Sequence, residues 1–226
     1  ENVVQVRQHQ VQGQLRIGSS VAFGRRVVIP LALDFMQHNP RVEVDLSFED
    51  RYTDLVANGI DVALRLGKLA DSTLGARTLG VNPWVLVASP HYLKKHGTPR
   101  RPSDLKEHAT LIYSSVQGND VWRLRNASGE AGSVPGSGRL RSNNLSALLA
   151  AARAHMGIAA LPWYVAHDSL AAGRVVEVLK TCRLPEQEIH AVYPSPRLVP
   201  QKVQAFIAFL QGRFGSTWWE QLPKGG

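Results

Sequence analysis

Residues 13–67, GQLRIGSSVAFGRRVVIPLALDFMQHNPRVEVDLSFEDRYTDLVANGIDVALRLG, decide the fold. Leu15 and Ile17 lie on one face of an extended run that ends in Gly18-Ser19-Ser20, the pattern of a strand leading into a helix. Val28, Leu31, Phe35 and Met36 then recur at helical spacing and stop at Asn39-Pro40, because the residue before a proline is pushed out of the helical region. Val42, Val44, Leu46 and Phe48 alternate strictly, which marks a half-buried strand. A short helix is expected over 52–58 with Gly59 just past its end, and a third strand over 61–67. Strand and helix in this alternation predict a βαβαβ unit with a mostly parallel sheet.

A second unit comes next. Residues 84–88 read as a strand closed by Ser89-Pro90, which opens a helix over 90–96. Strands are expected over 110–113 and 121–125, a Gly/Ser-rich hairpin or loop over 126–138, and a strand over 139–141. Ser142-Asn143-Asn144 offers several N-caps to a helix carrying Leu145, Leu148, Leu149 and Ala152 on one face. A strand at 158–161, a helix at 163–171 and a strand at 175–179 complete the unit. The chain closes with a strand at 189–193 and an amphipathic helix bearing Val203, Phe206, Ile207, Leu210 and Phe214. This last pair is too small to stand alone and must pack back onto an earlier unit. The expected architecture is α/β, with two Rossmann-like lobes joined by crossing strands near 84–88 and 189–193.

Composition narrows the function. At 226 residues the chain can bury a core without staples, and its single cysteine, Cys182, excludes a disulfide framework. No Cys/His cluster has zinc spacing, and the apolar runs are too short to span a bilayer. No secretory leader is visible in the polar residues 1–14, so the expected compartment is the cytoplasm. The +8 charge is uneven: residues 89–185 hold thirteen Lys/Arg against six Asp/Glu, whereas residues 1–88 hold nine of each. The basic residues are scattered and form no recognition helix, so this half predicts attraction of small anions rather than direct contact with DNA.

Catalytic signatures are missing: neither Ser19-Ser20 nor Ser114-Ser115 sits in a GxSxG context, and there is no Walker A loop and no GxGxxG. Glu49-Asp50 point to opposite faces of a strand end, a poor acid/base pair. An enzyme is therefore not expected, nor a cofactor or metal. Ligand binding is better supported. Ser19 and Ser20 in the first unit, and Ser142, Asn143 and Asn144 in the second, stand where a strand gives way to a helix N-terminus, whose backbone N–H groups suit a carboxylate or phosphate. Arg65 ends the third strand at the same edge and would pair with an anionic ligand or with an acid of its own lobe. Ser114 and Ser115 occupy the matching edge of the second lobe, and Trp84, Tyr113, Trp122 and Tyr193 are candidates to line the cleft or to pack in the core.

Residues 13–79, then WVLVASPHYLKKHGTPRRPSDLKEH (84–108), GIAALPWYVA (157–166) and YPSPRLVPQKVQAFIAFL (193–210), together resemble the effector-binding domain of LysR-type transcriptional regulators. The resemblance runs in order over about residues 13–215. It implies the type II periplasmic-binding-protein fold, with lobe I formed by 13–86 plus 190–216, lobe II by 87–189, and 217–226 a C-terminal tail. It implies too that residues 1–12 end a linker from a winged helix-turn-helix that is absent from this chain and would make the DNA contacts. Family likeness places a small-molecule effector between the lobes, near Ser19, Ser20, Arg65 and residues 142–144, and self-association into dimers or tetramers. A periplasmic solute-binding protein of the same fold is the alternative.

Overall fold

The computed structural model describes residues 11–51, 53–114, 121–126, 131–135 and 138–222. Ser115, the linker residues before 11 and the last four residues of the expected tail lie outside them.

Two five-stranded sheets organise the chain. The first runs β2 (Arg41–Phe48), β1 (Gln12–Ser19), β3 (Val62–Leu66), β12 (Gln187–Tyr193), β4 (Gly75–Asn82). Strands β1, β2 and β3 are parallel, and β12 runs antiparallel to both its neighbours. The second runs β11 (Val176–Val178), β5 (Trp84–Ala88), β10 (Ile158–Pro162), β6 (Thr110–Tyr113), β9 (Arg141–Ser142). Here β10, β6 and β9 are parallel, with β5 antiparallel to β10 and β11. The passages between sheets fall at Pro83, between β4 and β5, and between β11 and β12. Within the expected 121–138 stretch, β7 (Val121–Arg125) pairs antiparallel with β8 (Ala131–Pro135).

The first helical rod is continuous but not uniform. An α-helical turn, α1 (Val21–Phe23), passes into a π-helical stretch over Gly24–Val28 and then into α2 (Ile29–His38). Pro30 explains the widening, since its ring would crowd the carbonyl four residues back in a regular helix. No helix forms at 52–58; the described part is a turn over residues 55–59. The Asp54 carboxylate takes the N–H groups of Val56 and Ala57, and Gly59 leaves the turn at φ 63°. One turn between a cap and a left-handed glycine is too short to propagate. Strand β4 escapes the alternation rule because its residues GARTLGVN include two glycines and no strict apolar period.

Further helices are α3 (Pro90–His96), α4 (Leu145–Arg153), α5 (Trp163–Ala171) and α6 (Gln201–Arg213). Asn144 caps α4, its side-chain oxygen accepting from the backbone N–H groups of Ser146 (2.9 Å) and Ala147 (3.2 Å). One buried cluster spans both sheets, and Phe23 joins them, its ring edge-on to Tyr164 of α5 at 5.1 Å. Trp218 belongs to that cluster, and its indole donates to the Val81 carbonyl at 2.7 Å. The expected C-terminal tail is therefore anchored at its start rather than trailing free.

Tyr193 ends β12 opposite Gly75, and a Cβ on Gly75 would stand 2.1 Å from the Tyr193 ring. Gly75→Ala is expected to lower stability by about 2 kcal/mol, since a buried ring must move, read as a lower urea midpoint at unchanged m-value. Asn144→Ala should cost about 1 kcal/mol through loss of the cap. Its neighbour Asn143, exposed and outside any helix, should tolerate alanine within about 0.5 kcal/mol.

Candidate functional site

The parallel strands of both sheets deliver their carboxyl ends to one place, the position at which open α/β sheets hold ligands. Between them lies a cavity of about 100 Å³. From the first sheet come Ser20, after β1, Leu64, Arg65 and Leu66 of β3, and Asp50, just past β2. From the second come Tyr113 at the end of β6, Asn143, Asn144 and Leu145 after β9, Trp84 at the start of β5, and Tyr164 of α5. Gln187 starts β12 and completes the wall.

Of the residues expected here, Ser20, Arg65, Trp84, Tyr113, Asn143 and Asn144 line this cavity. Ser19 does not. Its hydroxyl donates to the Leu64 carbonyl at 3.3 Å, and it faces a smaller neighbouring void of about 30 Å³ that Arg65 also borders. Ser142 turns its hydroxyl back to accept from the Asn144 N–H at 3.0 Å, and Ser114 donates its own N–H to the Ser142 carbonyl. Both serve the chain reversal beside the cleft. Tyr193 is a correction: β12 is antiparallel to β3, so its last residue lies at the sheet edge away from Arg65, roughly 20 Å along the strand from Gln187. The first residue of β12, Gln187, reaches the cleft instead.

Part of each helix N-terminus is engaged by the chain itself. The Asp50 carboxylate accepts from the Val21 N–H at 2.9 Å, and Asn144 takes two N–H groups of α4, those of Ser146 and Ala147. Three of the donors expected to meet an anion thus have partners within the chain. The chemistry left facing the cavity is that of side chains. Among the described residues Arg65 is the only cation lining it and Asp50 the only carboxylate. The Arg65 guanidinium is steadied by donating to the Thr53 carbonyl at 2.9 Å. The Gln187 side-chain oxygen accepts from Trp84 Nε1 at 2.8 Å and from Asn82 Nδ2 at 3.1 Å. Tyr164 is fully enclosed; burial, with Tyr113 adding to it, pushes its phenol far above the usual range, so the hydroxyl stays neutral.

A second compartment of about 290 Å³ opens beside the first and shares Trp84, Tyr113 and Gln187 with it. Val121, Trp122, Arg123, Ala160, Leu184, Pro185 and Glu186 line its remainder, so it offers aromatic rings together with one cation and one carboxylate. Asp50, Tyr164 and Gln187 were missed by sequence reasoning. Asp50 reads as a solvated strand end, and neither of the others stands in a motif. Among the described residues no group of three His, Cys, Asp or Glu could hold a metal ion, and no helix is long and apolar enough to cross a membrane.

Comparison with known proteins agrees with this architecture. The model of the LysR substrate binding domain family matches residues 8–215. The probable HTH-type transcriptional regulator LtrA of Klebsiella pneumoniae is 33% identical over 212 residues, covering 90% of this chain and 67% of LtrA. The HTH-type transcriptional regulator DmlR of Escherichia coli is 34% identical over 204 residues, covering 90% of this chain and 66% of DmlR. Among solved structures, the regulatory domain of CrgA from Neisseria meningitidis superposes with a TM-score of 0.78 at 28% identity, covering 90% of this chain and all of that one. The full-length Vibrio cholerae virulence activator AphB gives 0.79 at 29% identity, covering 91% of this chain and 70% of its own. The chain thus spans about two thirds of the length of the full-length regulators it matches. Its matches are regulators rather than enzymes, and the chain belongs to the LysR-type transcriptional regulators as their substrate-binding, or effector-binding, domain.

Proposed function

We propose that this domain senses a small anionic metabolite in the cavity between the two sheets and passes its occupancy to a DNA-binding module elsewhere in the regulator. The observation that carries the reading is convergence: Ser20, Arg65, Trp84, Asn143 and Gln187 come from five separate strand ends and face one cavity. Arg65 would take the acidic group as a planar fork, Asn143, Ser20 and Gln187 would orient it, and the adjoining compartment, with Trp84, Tyr113 and Trp122, would hold the body of the ligand. Asp50, on the opposite polarity, would reject an anion placed the wrong way round. Ser19, Ser114 and Ser142 are assigned supporting roles in shaping the strand ends, and Tyr193 none in the site.

The lobes proposed to move are 13–86 plus 190–216 against 87–189. A ligand shifts such a regulator only by binding one arrangement better than another. Closure about Pro83 and the β11–β12 connection changes the distance between Arg65 and Asn143, which face each other from different sheets. The same domain would carry self-association into dimers or tetramers, with DNA contacted only by the N-terminal module, in the cytoplasm. The relatives, all named as regulators, do not favour a periplasmic solute-binding role.

A thermal-shift screen against small metabolites, with dissociation constants for each hit, tests the assignment. A ligand at a hundredfold excess over its Kd stabilises by about 2.7 kcal/mol, or roughly 5–10 °C in Tm for a chain this size. Arg65→Ala is expected to weaken an anionic hit about tenfold or more, and Asn143→Ala to weaken it at unchanged unliganded Tm. Wild-type affinity in both variants would refute the site.

A further inference from the structure

A larger cavity, of about 680 Å³, lies on the other side of Tyr164, which lines it and the cleft alike. That volume falls within the ~300–1,000 Å³ typical of small-molecule sites. Arg25, Arg26 and Pro30 of the first helical rod form one wall; Leu149 and Arg153 of α4, with Arg174 beyond α5, form the other. Four guanidinium groups therefore face a space to which the described residues contribute a single carboxylate, Asp168. That carboxylate is shared: its oxygens stand 3.8 Å from Arg26 Nη1 and 3.3 Å from His167 Nδ1. Arg25, Arg153 and Arg174 have no acidic partner among the described residues.

The electrostatics point one way. Burial lowers the Arg26 pKa, Asp168 and Tyr164 oppose that shift, and the neighbouring Arg25 adds to it. Like charges gathered on low-dielectric walls raise the local concentration of anions, and planar guanidinium forks match phosphate and carboxylate oxygens. Arg25, Arg153 and Arg174 are exposed, so the space is an open depression that anions reach directly from solvent.

We propose that this arginine-lined cavity is a second ligand site, distinct from the effector cleft, for a small polyanion carrying two or more phosphate or carboxylate groups. Its walls come from both halves of the fold, so an occupant bridges them. Bound there, the ligand would lie one side chain, Tyr164, away from the effector.

Isothermal titration of the 226-residue chain with pyrophosphate, and separately with citrate, at low ionic strength tests the site. Saturable one-to-one binding of either probe, weakened by added salt, is expected, and the better probe tells phosphate from carboxylate ligands. The exposed pair Arg153→Ser/Arg174→Ser should reduce affinity about tenfold or more with an unchanged circular dichroism spectrum, and Arg25→Glu should do the same independently. No saturable heat at millimolar probe, or wild-type affinity in both variants, overturns the proposal. So does loss of binding in Arg65→Ala alone, which would put the anion in the cleft. If the variants instead change the oligomer mass and leave probe affinity intact, the face belongs to a second copy of the chain and the proposal fails.

Discussion

The two chain crossings between the sheets are tied together by hydrogen bonds at one point. Pro83 separates the last residue of β4 from the first of β5, and a proline can cross from one sheet to the other without forfeiting a ladder donor, because it has none. On either side of it, Asn82 Nδ2 and Trp84 Nε1 donate to the same Gln187 oxygen. Gln187 is also where the chain lands after its second crossing, at the start of β12. The Pro83 carbonyl in turn accepts from the Trp163 N–H at 2.9 Å, fixing the start of α5. Both crossings are thereby pinned together beside the cavity. In the proposed closure, rotation of one sheet against the other would have its pivot at the wall of the site and would alter the gap between Arg65 and Asn143 while the sheets stay intact.

Strand direction decides which residues can share that wall. β1, β3, β6 and β9 all run toward the cleft, so the residues at or just past their carboxyl ends arrive there: Ser20, Arg65 with Leu66, Tyr113 and Asn143. This much was legible in the sequence, since alternation in 42–48 and the strand-to-helix punctuation at 18–20 and 142–144 locate strand ends without knowledge of contacts. The direction of β12 was not legible. A strand at 189–193 is equally consistent with either orientation, and only its pairing with Leu66 and Gly80 shows that it enters at the cleft and leaves at the far edge. That reversal exchanges Tyr193 for Gln187. β4 was invisible for a related reason: it is an edge strand of mixed burial, held by register with β12 rather than by its own pattern.

Helix N-termini illustrate a second limit of reading by residue type. A Ser-Ser or Ser-Asn-Asn run before a helix promises donors to a ligand, yet the same donors are obligatory partners that a protein satisfies internally wherever it can. At α4 the cap is local, Asn144 to Ser146 and Ala147, and could be anticipated. At α1 it comes from Asp50, 29 residues away, brought alongside because β2 lies next to β1 in the sheet. A carboxylate that looks like a solvated strand end therefore becomes part of the site, and it changes the site's polarity from cationic to mixed.

Charge obeys the same logic at larger scale. The excess of Arg and Lys in 89–185 suggests a cationic cleft, but those residues are distributed by the helices that carry them, not by the sheet edge that makes the cleft. Arg153 and Arg174 accompany α4 and α5 to the side of Tyr164 away from Asn143, where Arg25 and Arg26 join them from the first helical rod. The cleft keeps Arg65 opposed by Asp50. Tyr164 separates a mixed-polarity cavity from a cationic one, with a phenol that burial keeps uncharged and whose ring is braced edge-on against Phe23. A neutral partition carries no charge between the two cavities, and its ring packs on Phe23, which packs in turn on Phe214 and Trp218. In the proposed function, selectivity in the cleft would rest on meeting Arg65 and Asp50 in the correct order, which net charge alone would not specify.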